Sequence, residues 1–394
     1  MKIKQKKKRK IILKTVLLII LTVLFVLASS LNSFISSGFA NFYSSKIFPY
    51  ISMPAECFNM FFHNSLTEGL VVCGFPLLAV CLISWIVILI KKMMTKGTSS
   101  YLYISYRNLM IILIVGSVIF QAMHGINYRR DDIEKELKLT DKEELTYEDY
   151  CAALKWAYLG MIEARSHLGE DFHGVAHMQT GFENSSLYAC SLLDSFSDEY
   201  GIPLSRNYVR AKPVSLSHYW SYTGIVGMYD MFLGEANINT DDMNVTEFPA
   251  TICHELCHAK GYASETDCNL LATLACCSSA RADFRYSGFQ RIFFDLYYMT
   301  ESIAEETGQI CPQYVYTSEM DAVYRDLNAY DMYWYSINEE IADIYDWSGV
   351  DIGETSDNVN DAFLKSNGEE EGIETYIVPD SIYVRFYLTH IAGK

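Results

Sequence analysis

The chain has 394 residues, 50% of them apolar and 14% aromatic, with 31 basic and 48 acidic side chains. Residues 1–128 carry a net charge of +11 and the remainder −28, so the formal −17 describes no single surface. An acidic body of that kind offers no basic face for gripping phosphates, which excludes nucleic-acid binding, and the composition also excludes collagen, coiled coil, disordered chains and disulfide-dense small proteins.

Three apolar spans account for the basic part. A run rich in Lys and Arg precedes residues 11–28, which are apolar apart from Lys14, Thr15 and Thr22. A cleaved signal peptide would begin the same way, but Ala28-Ser29-Ser30 is a poor cleavage site and further spans follow. Residues 69–90 and 109–126 contain no charged side chain, and each approaches the ~20 residues that cross a hydrocarbon core. These three segments are therefore expected to be transmembrane helices, with the lipid bilayer as partner. Lys and Arg near spans mark the cytoplasmic side. The N-terminal cluster and the group Lys91, Lys92, Lys96 and Arg107 fall on the same side, which places residues 31–68 and everything after 126 outside the cytoplasmic membrane.

Residues 127–394 are long enough for one outer domain. Residues 131–150 read as a charged helical stalk, and 150–167 and 187–200 as helices with apolar positions at helical spacing. The stretch 214–234 mixes β-formers with Gly224, Gly227 and Gly234 and suits one or two short strands. Pro249 opens a helix to about Ala259, Gly261 breaks it, and Ser264 caps a new one. Helices are also expected over 290–307, 318–335, 358–365 and 381–391. The fold class is α+β, mainly α, with a small sheet. Eight of the eleven cysteines lie in this part, without a spacing that identifies a disulfide pair.

The informative run is residues 251–269, which contains His254-Glu255-Leu256-Cys257-His258. On a helix the two histidines lie one turn apart on one face, so both imidazoles can hold one Zn²⁺. Glu255 is then placed to take a proton from a water and pass it to a leaving amine. Gly261 lets the chain turn back, which brings Glu265 forward as third metal ligand and Asn269 as a hydrogen-bond support for a ligand histidine. Asp267 is the alternative third ligand. Glu265 with Asn269 resembles the glutamate-zincin pattern, with Asn where that group has Asp, a short seven-residue step from His258, and Lys260 in place of an apolar residue. Cys253 and Cys257 share the helix and could instead close a structural site. His173 and His177 repeat the four-residue spacing beside Gly174 without a glutamate between them, and no metal is assigned there.

Four blocks occur in order: residues 221–229, 234–239, 254–269 and 284–288, followed by 359–368. Together with the three spans they resemble domain-of-unknown-function family 3810, bacterial membrane proteins regarded as zincin-like. The resemblance implies a zincin-like metallopeptidase domain and peptide-bond hydrolysis, and it implies no substrate. Around the site, residues 223–229 are the candidate edge strand for an extended peptide. Thr223, Gly224, Glu235 and Asn237 are candidate substrate contacts in strand and loop. Tyr286 is a candidate to stabilise the tetrahedral intermediate beside Arg285, for which pairing with an acidic helix is the competing role. The leading expectation is a membrane-anchored zinc peptidase. Its rival is a non-catalytic surface or scaffold protein with a structural or degenerate zinc site.

Overall fold

The structure, a computed structural model, describes residues 2–95, 97–140, 142 and 144–393; Lys96 of the second basic group lies outside them. The N-terminal third consists of helices α1 (Lys2–Ser29), α2 (Ser37–Lys46), α3 (Phe48–Asn59), α4 (Leu66–Met94) and α5 (Thr98–Met123). Lys8–Ser29 of α1, and α4 and α5 throughout, are long and apolar enough to cross a membrane, and their apolar side chains face outward rather than into the protein. At 1.5 Å per residue α5 is about 39 Å long, more than the ~30 Å of a hydrocarbon core. It begins at Thr98 and ends at Met123 rather than covering 109–126. Its first turns carry Ser and Tyr, which hydropathy passes over but a helix accepts, and Gly125–Arg129 close a 3₁₀ turn that stops it. Thr22 of α1 and Tyr106 of α5 share a 2.7 Å hydrogen bond, and Trp85 of α4 donates to Ser105 of α5 at 3.0 Å.

The segment between the first two spans does not hang free. Phe48 at the start of α3 is fully buried beside Gly261, and Asn207 donates to Glu56 at 2.7 Å. The division near residue 126 is one of sequence composition, because α2 and α3 pack into the same body as the residues that follow it.

That body continues with α6 (Ile133–Glu136), α7 (Tyr147–Ser166), α8 (Phe182–Tyr200), β1 (Lys212–Pro213), α9 (Ser217–Ser221), β2 (Gly227–Asp230) and β3 (Glu235–Ile238). It ends with α10 (Phe248–Ala259), α11 (Glu265–Cys277), α12 (Ala282–Thr307), α13 (Met320–Ser348), α14 (Ile352–Asn367) and α15 (Asp380–Phe386), the last followed by the π-helical turn Tyr387–Ile391. The expected stalk over 131–150 is instead part of the core: Ile133 and Leu137 are buried with α7 and α12. Charge at neighbouring positions concealed two apolar anchors. The loop expected over 234–239 is also different, since Glu235–Ile238 is a strand with all four residues buried. Its polar side chains suggested a loop, but each has an internal partner, as described below.

The sheet has the order β1-β3-β2, with β1 parallel and β2 antiparallel to β3, so β2 is an edge strand. Local signals place the helices around it. Thr146 and Asp149 form a capping box at α7, Pro lies in the first turn of α10, and Ser264 accepts from Asp267 N to cap α11. All twelve residues of α10 are buried, between the sheet on one side and α8, α11 and α12 on the other. A helix apolar on every face belongs at the centre of a body, and the polar side chains it does carry require a reason to be there.

Candidate metal centre

Thr251 bonds back to Glu247 O; the other polar side chains are His254, Glu255 and His258. One helical turn brings the two imidazoles together, with ring centroids 4.8 Å and Nε2 atoms 3.1 Å apart. The chain then reverses at Gly261, whose φ of +99° is readily adopted only by glycine, and which has Phe48 where a Cβ would point. The turn delivers Glu265 as the first residue of α11. Its Oε2 lies 3.0 Å from His254 Nε2 and 3.4 Å from His258 Nε2. One atom from each of these three residues falls within 4.8 Å of the others.

The hydrogen bonds behind the rings fix their protonation. Asn269 Nδ2 donates to Tyr376 O at 2.7 Å, which turns Oδ1 towards His254 Nδ1 at 2.8 Å. Tyr262 O stands 3.0 Å from His258 Nδ1. Both Nδ1 atoms face acceptors, so each carries its proton there and both Nε2 atoms present lone pairs to the cluster. Glu265 Oε2 faces them, buried and without a hydrogen-bond partner. Three lone-pair donors thus converge where nothing supplies a positive charge. A divalent cation satisfies all of them, and two imidazoles with one carboxylate are a donor set suited to zinc. Without a metal, a proton has to serve. Burial lowers the His258 pKa, but the carboxylates of Glu265 and Glu255 outweigh it and raise the value to about 9. Burial raises that of Glu265, and the two imidazoles more than reverse this, holding it well below the usual carboxylate range.

Glu255 lies on the neighbouring face of the same helix, against Gly227 of the edge strand. Burial pushes its pKa up, partly offset by His254 and His258. A carboxylate so placed can accept and return a proton more readily than a solvated one.

The structure brings further residues to this cluster that sequence reading passed over. His124, one residue past α5, has its ring centroid 5.8 Å from that of His258, and Tyr229 of β2 stacks on the same imidazole at 6.0 Å. Tyr376 stacks on His254 at 6.2 Å, and its hydroxyl pKa is raised by burial and by the nearby Glu265. These residues lie from 29 to 134 positions away from their partners in the chain, and no local spacing announces them.

Of the expected site residues, His254, Glu255, His258, Glu265 and Asn269 come together, whereas the others lie apart from the cluster. Asp267 Oδ1 accepts from Ile133 N at 3.0 Å, so Glu265 rather than Asp267 completes the group. Tyr286 is fully buried and donates to Asp326 at 2.8 Å, a carboxylate that also binds Arg165. This is a structural network, and an isolated intermediate could not reach that hydroxyl. Arg285 binds Glu163 of α7 at 2.8 Å and the carbonyls of Ser279 and Ala280, the acidic-helix pairing that competed with a site role. Glu235 pairs with buried Lys212 and accepts from Leu66 N and Thr67 N, and Asn237 donates to Thr67 Oγ1. Both therefore tie the start of α4 to the sheet instead of facing a substrate. Thr223 Oγ1 donates to Trp220 O, and Gly224 at φ +71° forms the turn ahead of the edge strand. Cys253 contacts Cys276, and Cys268 approaches the far nitrogen of His258, so neither thiol points into the group. All eleven cysteines are free. His173 and His177 sit exposed in the turn around Gly174.

Residues 43–378 match the family model described as Protein of unknown function (DUF3810). No curated protein and no solved structure matches the chain. The match covers the site, the sheet and two of the three long apolar helices, and the chain belongs to the DUF3810 family.

Proposed function

We propose that this protein is a membrane-anchored zinc peptidase whose site lies outside the cytoplasmic membrane. The observation that carries the reading is the convergence of His254 Nε2, His258 Nε2 and Glu265 Oε2 with both Nδ1 atoms held from behind. Bound there, zinc supplies Lewis acidity, polarising a carbonyl and making a water acidic enough to react near neutral pH. His254, His258 and Glu265 would hold the ion. Glu255 takes the proton of the attacking water on its carboxylate and returns it to the leaving amine. The unpaired edge of β2 runs past Glu255 and offers backbone groups to an extended peptide. The Tyr376 hydroxyl, rather than that of Tyr286, is the phenol near the reacting position.

The three long helices and the clustering of Lys and Arg at one end of them support a cytoplasmic N-terminus with the domain outside. His124 directly follows α5 and touches His258, which supports a site close to the end of that long helix.

One observation favours a non-catalytic protein with a structural metal: His254, Glu255, His258 and Glu265 are each at most 7% exposed. Against it, among the described residues no fourth histidine, cysteine or carboxylate joins the three, and structural zinc sites are closed by four protein ligands. The two readings part on Glu255→Gln in the full-length chain. The peptidase reading requires loss of hydrolysis of a quenched-fluorescence peptide library with zinc still bound, and hydrolysis that persists in this variant overturns it.

A further inference from the structure

Helix α3 is built inside out. A helix on the surface of a body in water turns its apolar side chains inward and its polar ones outward. The buried residues of α3 are Phe48, Ser52, Glu56 and Asn59, which share one face and of which three are polar. Its outward side chains are Tyr50, Ile51, Met53 and Phe58, continued past its end by Phe61, with Tyr50 74% and Phe61 84% exposed. Glu56 is the only charged residue between positions 47 and 62, and it points inward. Helix α2 repeats the arrangement. Phe39 and Phe42 face out, while Tyr43 and Ser44 turn inward and donate to Ala122 O and Asn127 Oδ1, both at 2.7 Å.

The inner face of α3 explains its polar side chains, because each meets the body that carries the metal centre. Glu56 Oε2 accepts from Asn207 at 2.7 Å, Asn59 donates to Leu233 O in the turn between β2 and β3, and Phe48 lies against Gly261. The outer face requires a medium that accepts uncharged aromatic and aliphatic groups. Continuity identifies that medium. Helices α2 and α3 fill the chain between the end of α1 and the start of α4, whose apolar side chains also face outward. Both of those ends meet the same body: Ser29 O accepts from Gln121 of α5 at 2.9 Å, and Thr67 N donates to Glu235 of β3 at 2.8 Å. The segment therefore leaves and re-enters the layer of long helices on one side. With 12 residues α3 is about 18 Å long, too short to cross a bilayer and of the length that lies at its interface. A protein partner would need a polar rim to orient it, and this face carries no charge.

We infer that the outer face of α2 and α3 is a lipid-binding surface, sunk into the boundary between headgroups and acyl chains, which seats the body carrying the metal centre on the bilayer through α3. The inference does not depend on peptide hydrolysis. It is tested in the full-length chain reconstituted into phosphatidylcholine vesicles, with nitroxide labels at single cysteines. Cys57 is an exposed native thiol on α3, and Cys81, also exposed, lies at the middle of α4. The other accessible cysteines are replaced by alanine, and Phe61→Cys and Phe172→Cys supply a second test position and a position on an exposed loop of the body. Relaxation of each label is measured with dissolved oxygen, which enters lipid, and with the anion tris(oxalato)chromate on both sides of the bilayer, which does not. The ratio of oxygen to chromate collisions at positions 57 and 61 is expected to exceed that at 172 by about tenfold or more, since a charged reagent is excluded from an apolar layer. Chromate access at 57 or 61 equal to that at 172 overturns the proposal, and so does shielding from both reagents, as a covering protein would produce. Oxygen preference at Cys81 alongside such a result would keep α4 in the bilayer and refute the interfacial surface alone.

Discussion

Gly227 and Glu255 are in contact through the place where a side chain would be: a Cβ at residue 227 would lie 2.5 Å from Glu255 Oε1. The edge strand thus closes on the carboxylate because residue 227 has no side chain. Gly227→Ala should displace Glu255 while leaving the metal ligands untouched. A misplacement of about 1 Å costs roughly a hundredfold in rate, so peptide hydrolysis should fall by about that factor with zinc content unchanged. Steady-state cleavage of a fluorogenic peptide, with metal analysis of the same sample, checks this. Unchanged activity would show that Glu255 has no part in the reaction.

Asn269 holds His254 in the tautomer that exposes Nε2, and Tyr376 O holds Asn269. Asn269→Leu should lower zinc affinity by about 10- to 100-fold, the usual effect of losing such a support. Asn269→Asp keeps an acceptor for Nδ1–H and should stay near wild type. Titration against a chelator of known affinity reads both, and equal affinities in the Leu and Asn chains would deny Asn269 this role.

Tyr286 separates a structural from a catalytic assignment. Its hydroxyl is one of several donors to the fully buried Asp326, which also accepts from Arg165 and Ala176 N. Tyr286→Phe should cost about 1.5–3 kcal/mol of stability, as for a lost hydrogen bond to a charged group, with hydrolysis within about twofold of wild type once folded. Denaturant melts and initial rates on one preparation test this. A large loss of rate without loss of stability would return Tyr286 to the chemistry.

The pH dependence follows from His258. In the metal-free protein its pKa is raised from 6.5 to about 9. A raised histidine contributes stability that is fully present below the unfolded value and is lost as pH rises through the folded value. The metal-free protein should therefore lose stability between about pH 6.5 and 9. A bound cation must displace that proton, so zinc affinity should rise about tenfold per pH unit across the same window and then level off. Calorimetric titration in buffers of different ionisation enthalpy should register close to one proton released at pH 7.5, about 1.5 units below the His258 value. Release of none would mean that His258 is neutral before the metal arrives.

Much of the centre was legible from local spacing. A four-residue step on a helix puts His254 and His258 on one face, and Gly261 followed by Ser264 marks a reversal and a cap, which positions Glu265 and Asn269. The same reasoning failed where side-chain type was read without its partner. Glu235 and Asn237 look like loop residues until Lys212 and Thr67 are placed beside them. Asp131–Asp132 and their charged neighbours suggest a stalk, yet Ile133 and Leu137 between them are core. The ring shell of His124, Tyr229 and Tyr376 could not be read at all, because each arrives from a distant element and packs by shape.

The central claim, that His254, His258 and Glu265 hold a metal ion, is tested most directly by elemental analysis of the full-length chain, wild type against His254→Ala, after purification without chelators. The account predicts close to one zinc per wild-type chain, and a loss of at least nine-tenths of it in a variant that still folds, about a tenfold change in occupancy. A wild-type chain with no bound metal, or a His254→Ala chain that retains the full complement, would contradict it.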